Sequence, residues 1–275
     1  MKSLSLQNVR HNFVRVLATN AGSFDDYAVP AANFRAVATA AKGAGLDGIF
    51  FDNEAYFPEL GSVWGPSACT TPDLATCQAS ARAAGKLVMA EMIAEWPDIT
   101  VIVTYGPWVS EPKTFEHFNG HFPYNDVSAA NPFMGPFVIG MIEASVGTSA
   151  HLIDGGEIYA IRDKEDFGYA RAWMKSELPL ASPLIPSSLG GEYASTVSIA
   201  FGVYDSAFRG ASMSSAVWQT TLENALSVVD RTVWAYTEQN DWWGVGWPQG
   251  GPPPGDWVDA TVAARQTAST GCARR

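Results

Sequence analysis

The chain has 275 residues, 47% of them apolar and 12% aromatic, and its 17 basic and 28 acidic side chains leave a net charge of −11. This length and apolar content suit a sizeable core in one large domain. The negative charge argues against nucleic acid or an anionic membrane surface as a partner. No apolar run approaches the roughly 20 residues that a membrane-spanning helix needs.

Apolar, β-branched runs alternate with helical segments along the chain. In chain order, strands are predicted over 13–19, 48–56, 100–105, 151–158, 197–204 and 232–238. Helices are predicted over 30–42, 71–95, 133–146, 164–178 and 213–229, with a short one after the Gly/Pro-rich stretch 244–255. Two further stretches, 106–131 and 179–191, are predicted to be loops, and the first of them is rich in aromatic residues.

Strands that alternate with helices indicate a parallel sheet with right-handed crossovers. No linker-like segment divides the chain, so we expect residues 1–275 to form a single α/β domain, a TIM-type (β/α) barrel. A closed barrel has eight strands, whereas the pattern shows six. Either two strands escape the pattern, or the sequence begins at what would be the third strand of an incomplete barrel. An incomplete barrel would expose a sheet edge and favour a homo-oligomer.

The three cysteines are too few for a disulfide framework. Cys69 and Cys77 lie close together at a predicted loop-to-helix junction, and the sequence leaves open whether they are bonded. No Cys/His spacing resembles a zinc site, and the nucleotide-binding glycine motifs and the G-x-S-x-G elbow are absent. We therefore expect no metal and no organic cofactor.

The predicted strand 48–56 ends in two acids and an aromatic residue. Side chains alternate along a strand, so Asp52, Glu54 and Tyr56 are expected to share one face. Burying a carboxylate is costly unless the group is paired or used. Because the active site of an α/β barrel lies at the carboxyl ends of its strands, these residues are candidates for catalysis.

Later strands bring further acids to the same edge. Asp154 and Glu157 flank two glycines that let the backbone pass close to a ligand, which makes Asp154 a candidate substrate contact. Asp205 follows the strand 197–204, and Glu238 ends the strand 232–238. The aromatic residues predicted to bind substrate beside these acids are Tyr56, Tyr105, Trp108, Tyr159, Trp234, Tyr236, Trp242 and Trp243.

Acids and aromatic rings at one edge point to a carbohydrate partner, because aromatic side chains stack on sugar rings and acids bind sugar hydroxyl groups. Cleavage of a glycosidic bond needs two carboxyl groups about 5 to 9 Å apart, one protonated and the other a nucleophile or base. We expect Glu54 to be the general acid. Its partner is expected to be Glu157 first, then Asp52 or Asp205, and Glu238 last. A polysaccharide substrate favours secretion, although residues 1–10 lack the apolar segment of a signal peptide, so localisation stays open.

Residues 47–54, D-G-I-F-F-D-N-E, resemble the D-G-x-D-x-D-x-E signature of family 18 chitinases and related enzymes. The resemblance implies a (β/α)8-barrel glycoside hydrolase in which Glu54 is the general acid and Asp52 assists it. The sequence departs from the signature at Phe50, where the family has a second Asp, and at Asn53, which replaces a usual aromatic residue.

Asn53-Glu54 at a strand end also resembles the Asn-Glu pair of the large retaining-glycosidase clan whose acid/base lies on strand four. That clan places a nucleophilic Glu on strand seven, where this chain has Asp205 instead. Both resemblances cover about eight residues and leave the family open.

Two other functions remain open on the same residues. The chain would be a carbohydrate-binding barrel if the acids and aromatic rings bind sugar without cleaving it. The chain would instead be a metal-dependent hydrolase or lyase if the acids hold a metal ion. The oxygen ligands would then be Asp52, Glu54, Asp154 and Glu157, with His117, His121 or His151 nearby.

Overall fold

The computed structural model describes residues 12–17, 23–54, 64–65, 68–69, 71, 73–205, 213–237, 242 and 255–272. In these ranges the chain is an α/β protein with mostly parallel strand pairing. It divides into two compact units. Unit 1 comprises Met1–Glu116, Asn125–Asp154 and Lys175–Ser198, and unit 2 comprises His117–Tyr124, Gly155–Met174 and Ile199–Arg275. Over the described ranges no helix combines the length and apolar character needed to cross a membrane.

Seven strands and nine α-helices are described, numbered here in chain order. The strands are β1 (Phe13–Leu17), β2 (Gly48–Asp52), β3 (Thr100–Val103), β4 (His151–Asp154), β5 (Val197–Ile199), β6 (Phe201–Tyr204) and β7 (Val233–Tyr236). The helices are α1 (Ala28–Ala44), α2 (Leu74–Glu95), α3 (Pro112–Phe118), α4 (Met134–Ser145), α5 (Lys164–Ala172), α6 (Leu178–Ala181), α7 (Ser187–Thr196), α8 (Ser215–Leu226) and α9 (Gly255–Cys272).

Unit 1 is built on a sheet with the strand order β1-β2-β3-β4-β5, in which β1 to β4 pair in parallel. One face of this sheet carries Ile49, Phe51, Val101, Val103 and Leu152, all of them buried. Helices cover this face: the Phe51 ring lies 5.0 Å from Phe34 of α1 and 6.2 Å from Phe137 of α4. The core of unit 1 therefore lies between the sheet and its helices.

Two glycines let α2 and α4 approach closely. A Cβ atom at Gly85 of α2 would lie 1.9 Å from the carbonyl oxygen of Phe137. A Cβ atom at Gly140 of α4 would lie 1.9 Å from the carbonyl oxygen of Arg82. Neither helix can carry a side chain at these positions without moving.

Unit 2 contains a two-stranded parallel sheet of β6 and β7, in which Gly202 lies opposite Trp234 and Tyr204 lies opposite Tyr236. Helices α8 and α9 pack together, with the indole ring of Trp218 stacked on Trp257 at 5.6 Å. The described strands thus lie in a five-stranded and a two-stranded sheet, and no closed barrel is seen among them.

Several predicted boundaries are wrong. The predicted strand 197–204 is two strands, because Asp230 binds both backbone groups of Ile199: its carboxylate accepts the Ile199 N–H at 2.9 Å and its own N–H donates to the Ile199 oxygen at 3.0 Å. The predicted loop 179–191 contains most of α6 and the start of α7, and the loop 106–131 contains a 3₁₀ turn and α3. The predicted helix 164–178 is interrupted by a π-helical stretch, Trp173–Glu177.

The start of α2 is fixed by a side-chain cap and a disulfide. Asp73 caps the helix by accepting the Thr76 N–H at 3.0 Å, and the helix begins at Leu74 rather than at the predicted residue 71. Cys69 and Cys77 form a disulfide, which answers the question that the sequence left open.

In unit 2, four rings from two segments stack on one another. The His117 ring lies 4.3 Å from both Tyr169 and Trp173, and the His121 ring lies 3.5 Å from Tyr169 on α5. The His121 Nδ1 atom also lies 3.9 Å from the carboxylate of Asp166. These contacts attach the end of α3 and the residues after it to the C-terminal part of α5 and to Trp173.

We expect the Asp166→Asn variant to unfold at a higher temperature than the wild type at pH 7. Burial and the neighbouring charge of Asp163 raise the pKa of the Asp166 carboxyl, although His121 opposes the shift. When the pKa of a carboxyl is higher in the folded state than in the unfolded state, the free energy of unfolding of the protein falls as the pH rises through the folded pKa. The difference should disappear near pH 3, where the carboxyl is protonated in both states.

Thermal unfolding followed by circular dichroism at both pH values measures this effect. Asp259→Asn, which removes an exposed carboxylate from α9, is the control and should leave the unfolding temperature unchanged. An Asp166→Asn variant less stable than wild type at pH 7 would contradict the expectation.

Candidate functional site

The carboxyl edge of β2 carries a buried, ion-paired acid. Asp52 is 3% exposed. Its Oδ2 atom accepts the Arg15 Nε–H at 2.9 Å and also forms an ion pair with the second guanidinium nitrogen, while the Thr104 hydroxyl lies 3.4 Å from Oδ1. Arg15 is on β1 and Thr104 directly follows β3, so both neighbouring strands hold this carboxylate. Such a set of contacts orients Asp52 and balances its charge.

Asn53 directly follows β2 and binds the backbone of Tyr105, two residues after β3. Its side-chain amide donates to the Tyr105 oxygen and accepts the Tyr105 N–H, both at 2.9 Å. The Trp64 indole donates to the Asn53 oxygen at 2.7 Å. These bonds replace the sheet ladder, which explains why β2 ends at Asp52 rather than at the predicted residue 56.

Glu54 follows Asn53 and is half-buried. Its backbone N–H donates to Asp52 Oδ1 at 3.3 Å, so the ion-paired carboxylate of Asp52 fixes the backbone position of Glu54. Strand alternation stops before Glu54, and the tertiary contacts above set its position instead. Tyr56, predicted to share its face, lies outside the described residues.

Asp154 ends β4 at the same edge of the sheet but on its other face. Asp154 lies opposite Val103, whereas Asp52 comes one residue after Phe51, the partner of Val103. Since neighbouring side chains along a strand point to opposite faces, Asp52 and Asp154 do not share one. Asp154 thus lies with the buried residues that the helices cover.

The surroundings of Asp154 agree with this placement. The carboxylate is 1% exposed and accepts the Trp108 indole N–H at 3.2 Å, and a Cβ atom at Gly106 would overlap it. Burial and the charge of Asp154 together raise the pKa of Tyr193 on α7. Trp108 itself is 1% exposed, with its ring 5.7 Å from the half-buried Tyr105. Of these predicted substrate contacts, Tyr105 keeps an accessible surface.

Unit 2 holds a cluster of four half-buried aromatic rings, which we call the aromatic cluster: Tyr159, Tyr204, Trp234 and Tyr236. Tyr236 stacks on Tyr204 at 5.5 Å and on Tyr159 at 5.8 Å, and Tyr159 lies 6.0 Å from Trp234. The Trp234 ring lies over Gly202, where a Cβ atom would come within 2.5 Å of it. Each of these rings keeps part of its surface exposed.

The other predicted acids of unit 2 differ in exposure. Asp205 is 2% exposed and accepts the Trp242 indole N–H at 3.2 Å. Trp242 in turn packs 5.9 Å from Trp218. Glu157 is half-buried. Glu238 and Trp243 lie outside the described residues.

Among the described residues, no group of three or more His, Cys, Asp and Glu side chains is placed to hold a metal ion. Asp52 and Asp154 lie on opposite faces of the sheet, so these two do not converge as the metal-dependent hypothesis requires.

Sequence reasoning missed two residues of these sites. Arg15 interrupts the apolar run of β1, and a charge inside a predicted strand was the signal that a neighbouring strand supplies an acid. Tyr204 sits at the end of β6 next to Asp205, a position equivalent to that of the predicted Tyr236 on β7.

No protein-family model and no curated protein matches the chain. Among solved structures, the chain is similar to a GH18 chitinase from Pseudoalteromonas aurantia, with 11% sequence identity and a TM-score of 0.40. The similarity covers 92% of this chain and 76% of the chitinase chain. A TM-score of this size does not establish a common fold.

Proposed function

We propose that the chain is a glycoside hydrolase in which Glu54 is the general acid. The observation that carries the proposal is the pair of acids at the end of β2: Asp52 is held by Arg15 and Thr104, and Asp52 in turn binds the backbone of Glu54. The neighbouring strands thus fix the backbone of a half-buried glutamate at the edge of a parallel sheet where α/β enzymes bind their substrates. The finer architecture that we propose is a TIM-type barrel.

The ion pair gives Asp52 a positioning role, because its oxygen atoms are already bound by Arg15, Thr104 and the Glu54 N–H. The second carboxyl group of the reaction must then come from elsewhere. The sequence predicts Glu157 for this role, ahead of Asp205, and this order stays a prediction. Release of reducing ends from a panel of oligo- and polysaccharides, by wild type and Glu54→Gln, tests the function.

A second candidate is a carbohydrate-binding protein without catalysis. The aromatic cluster favours it, because stacked rings with exposed surface bind sugars whether or not a bond is cleaved. Binding of glycans in the absence of any product would select this candidate.

The Arg15–Asp52 pair should show coupled effects on stability. We expect Arg15→Met and Asp52→Asn each to lower the free energy of unfolding, and the double variant to lose about 1 kcal/mol less than the sum of the two. The coupling is modest because the Arg15 side chain is 53% exposed, whereas that of Asp52 is 4% exposed. Urea unfolding of the four proteins measures it, and strictly additive losses would show that the pair does not form.

A further inference from the structure

The peptide group that joins Asn53 to Glu54 is held at both of its polar ends. Its carbonyl oxygen, which belongs to Asn53, accepts the Trp64 indole N–H at 2.7 Å. Its N–H, which belongs to Glu54, donates to Asp52 Oδ1 at 3.3 Å. A trans peptide group is planar, and its C=O and N–H point in opposite directions. Two bonds on opposite edges therefore keep the plane from rotating and fix the direction of the bond from the nitrogen to the Glu54 Cα.

The contacts around this peptide group come from two sources. The sheet supplies most of them: Arg15 of β1 holds the Asp52 carboxylate, and the Asn53 side chain binds the backbone of Tyr105 after β3. Trp64 comes from outside the sheet, eleven residues after Asn53 along the chain and before α2. The position of Glu54 therefore depends on the helical layer as well as on the strands.

Trp64 is itself fixed by the core of unit 1. It is 1% exposed, and its ring lies 5.2 Å from Phe137 of α4 and 6.2 Å from Phe24. The backbone N–H of Phe133 donates to the Trp64 oxygen at 3.3 Å. A buried indole N–H needs an acceptor, and the acceptor here is the carbonyl of the peptide group that leads into the proposed general acid.

We propose that Trp64 is a positioning residue of the reaction: its indole N–H fixes the backbone from which the Glu54 carboxyl group extends. The hold on the peptide group follows from the contacts, whereas its catalytic consequence rests on the proposed function of Glu54. General acid catalysis depends on geometry, and a displacement of about 1 Å can cost about 10²-fold in rate. Because Trp64 is buried and acts through Glu54, its loss should lower kcat and leave substrate affinity unchanged.

Hydrolysis of a polysaccharide by the full chain tests the role of Trp64. Trp64→Phe keeps an aromatic ring in the core and removes the N–H, so we expect kcat to fall at least tenfold with KM within twofold of wild type. Trp96→Phe is the matched control, because Trp96 is also buried in unit 1 but lies just before β3, at the amino end of the strands. The control should keep kcat within twofold.

A second variant separates the hydrogen bond from the packing, since Phe is smaller than Trp and leaves a cavity. Benzothienylalanine in place of Trp64 keeps the two-ring shape and has no N–H, and it should lower kcat as Trp64→Phe does. In a Glu54→Gln background, Trp64→Phe should lower kcat by less than a further twofold, because no acid is left to position.

Several results would overturn the positioning role. These are a kcat within twofold of wild type in both variants of position 64, a loss of the same size in Trp96→Phe, or a change in KM alone. A full tenfold further loss in the Glu54→Gln background would show that Trp64 acts through the general fold and not through Glu54.

Amide hydrogen exchange measures the hold on the peptide group without any substrate. Exchange at the Glu54 amide should be at least tenfold faster in both variants of position 64 than in wild type, and unchanged in Trp96→Phe. A wild type that cleaves no glycan would refute the hydrolase, and the exchange rates would then decide whether Trp64 fixes Glu54. Unchanged exchange with normal hydrolysis would refute the positioning role and keep the hydrolase.

Discussion

Glu54→Gln is expected to lower the rate of polysaccharide hydrolysis by about 10²- to 10⁴-fold, the contribution of a general acid. Gln keeps the shape of Glu but has no proton to give to the leaving oxygen. Because the backbone of Glu54 is fixed by Asp52, the variant should fold as the wild type does. Reducing-end release at saturating substrate measures the loss in kcat.

The substrate's leaving group separates acid catalysis from other roles. In an aryl glycoside made from an acidic phenol, the phenolate leaves without being protonated. Glu54→Gln should therefore slow the hydrolysis of such a glycoside much less than it slows the hydrolysis of a polysaccharide. Glu116→Gln, at an exposed position of α3, is the control. Full activity of Glu54→Gln on polysaccharides would remove Glu54 from the mechanism, and an equal loss on both substrates would contradict its role as the acid.

Gly140→Ala is expected to destabilise unit 1 strongly. Its Cβ atom would lie 1.9 Å from the Arg82 oxygen and 2.7 Å from the Lys86 nitrogen, both on the backbone of α2. Backbone cannot rotate away as a side chain can, so α2 and α4 must separate. Overpacking of this kind costs roughly 3 kcal/mol or more. Urea unfolding measures the change in free energy, and Gly85→Ala should behave alike.

Gly43→Ala provides the matched control within α1. No atom lies within 4 Å of the Cβ that it would add, so only helix propensity changes. We expect this variant to gain about 0.5 to 1 kcal/mol. A loss at Gly140 no larger than the change at Gly43 would show that the two helices do not pack as described.

Local pattern was sufficient to place the first four strands and the longer helices, but it missed α3, α6 and α7. β1 to β4 begin at the predicted residues, because apolar β-branched runs define where a strand can start. Strand ends were placed too late, because residues such as Asn53 look compatible with a strand until their side chains bind a neighbouring backbone. The break at Ala200 was missed for a similar reason, since it depends on Asp230, far along the chain.

The candidate site was only partly predictable. Asp52 and Glu54 were identified because burying acids at the end of an apolar strand is costly unless they are paired or used in function. Arg15, which holds Asp52, comes from another strand 37 residues away, and its charge indicates that an acid lies on a neighbouring strand but not which acid. Glu157, Asp205 and the aromatic cluster were identified from their positions after strands, and their exposure emerged only with the packing.

The sequence by itself determined an α/β chain of 275 residues with an acidic surplus and acids placed directly after its strands. The tertiary structure decided which of those acids share a face. A shift of one residue in strand register moves a side chain to the other side of the sheet, and register is set by partners distant in sequence. That shift places Asp154 among buried residues under the helices and leaves Asp52 beside Arg15.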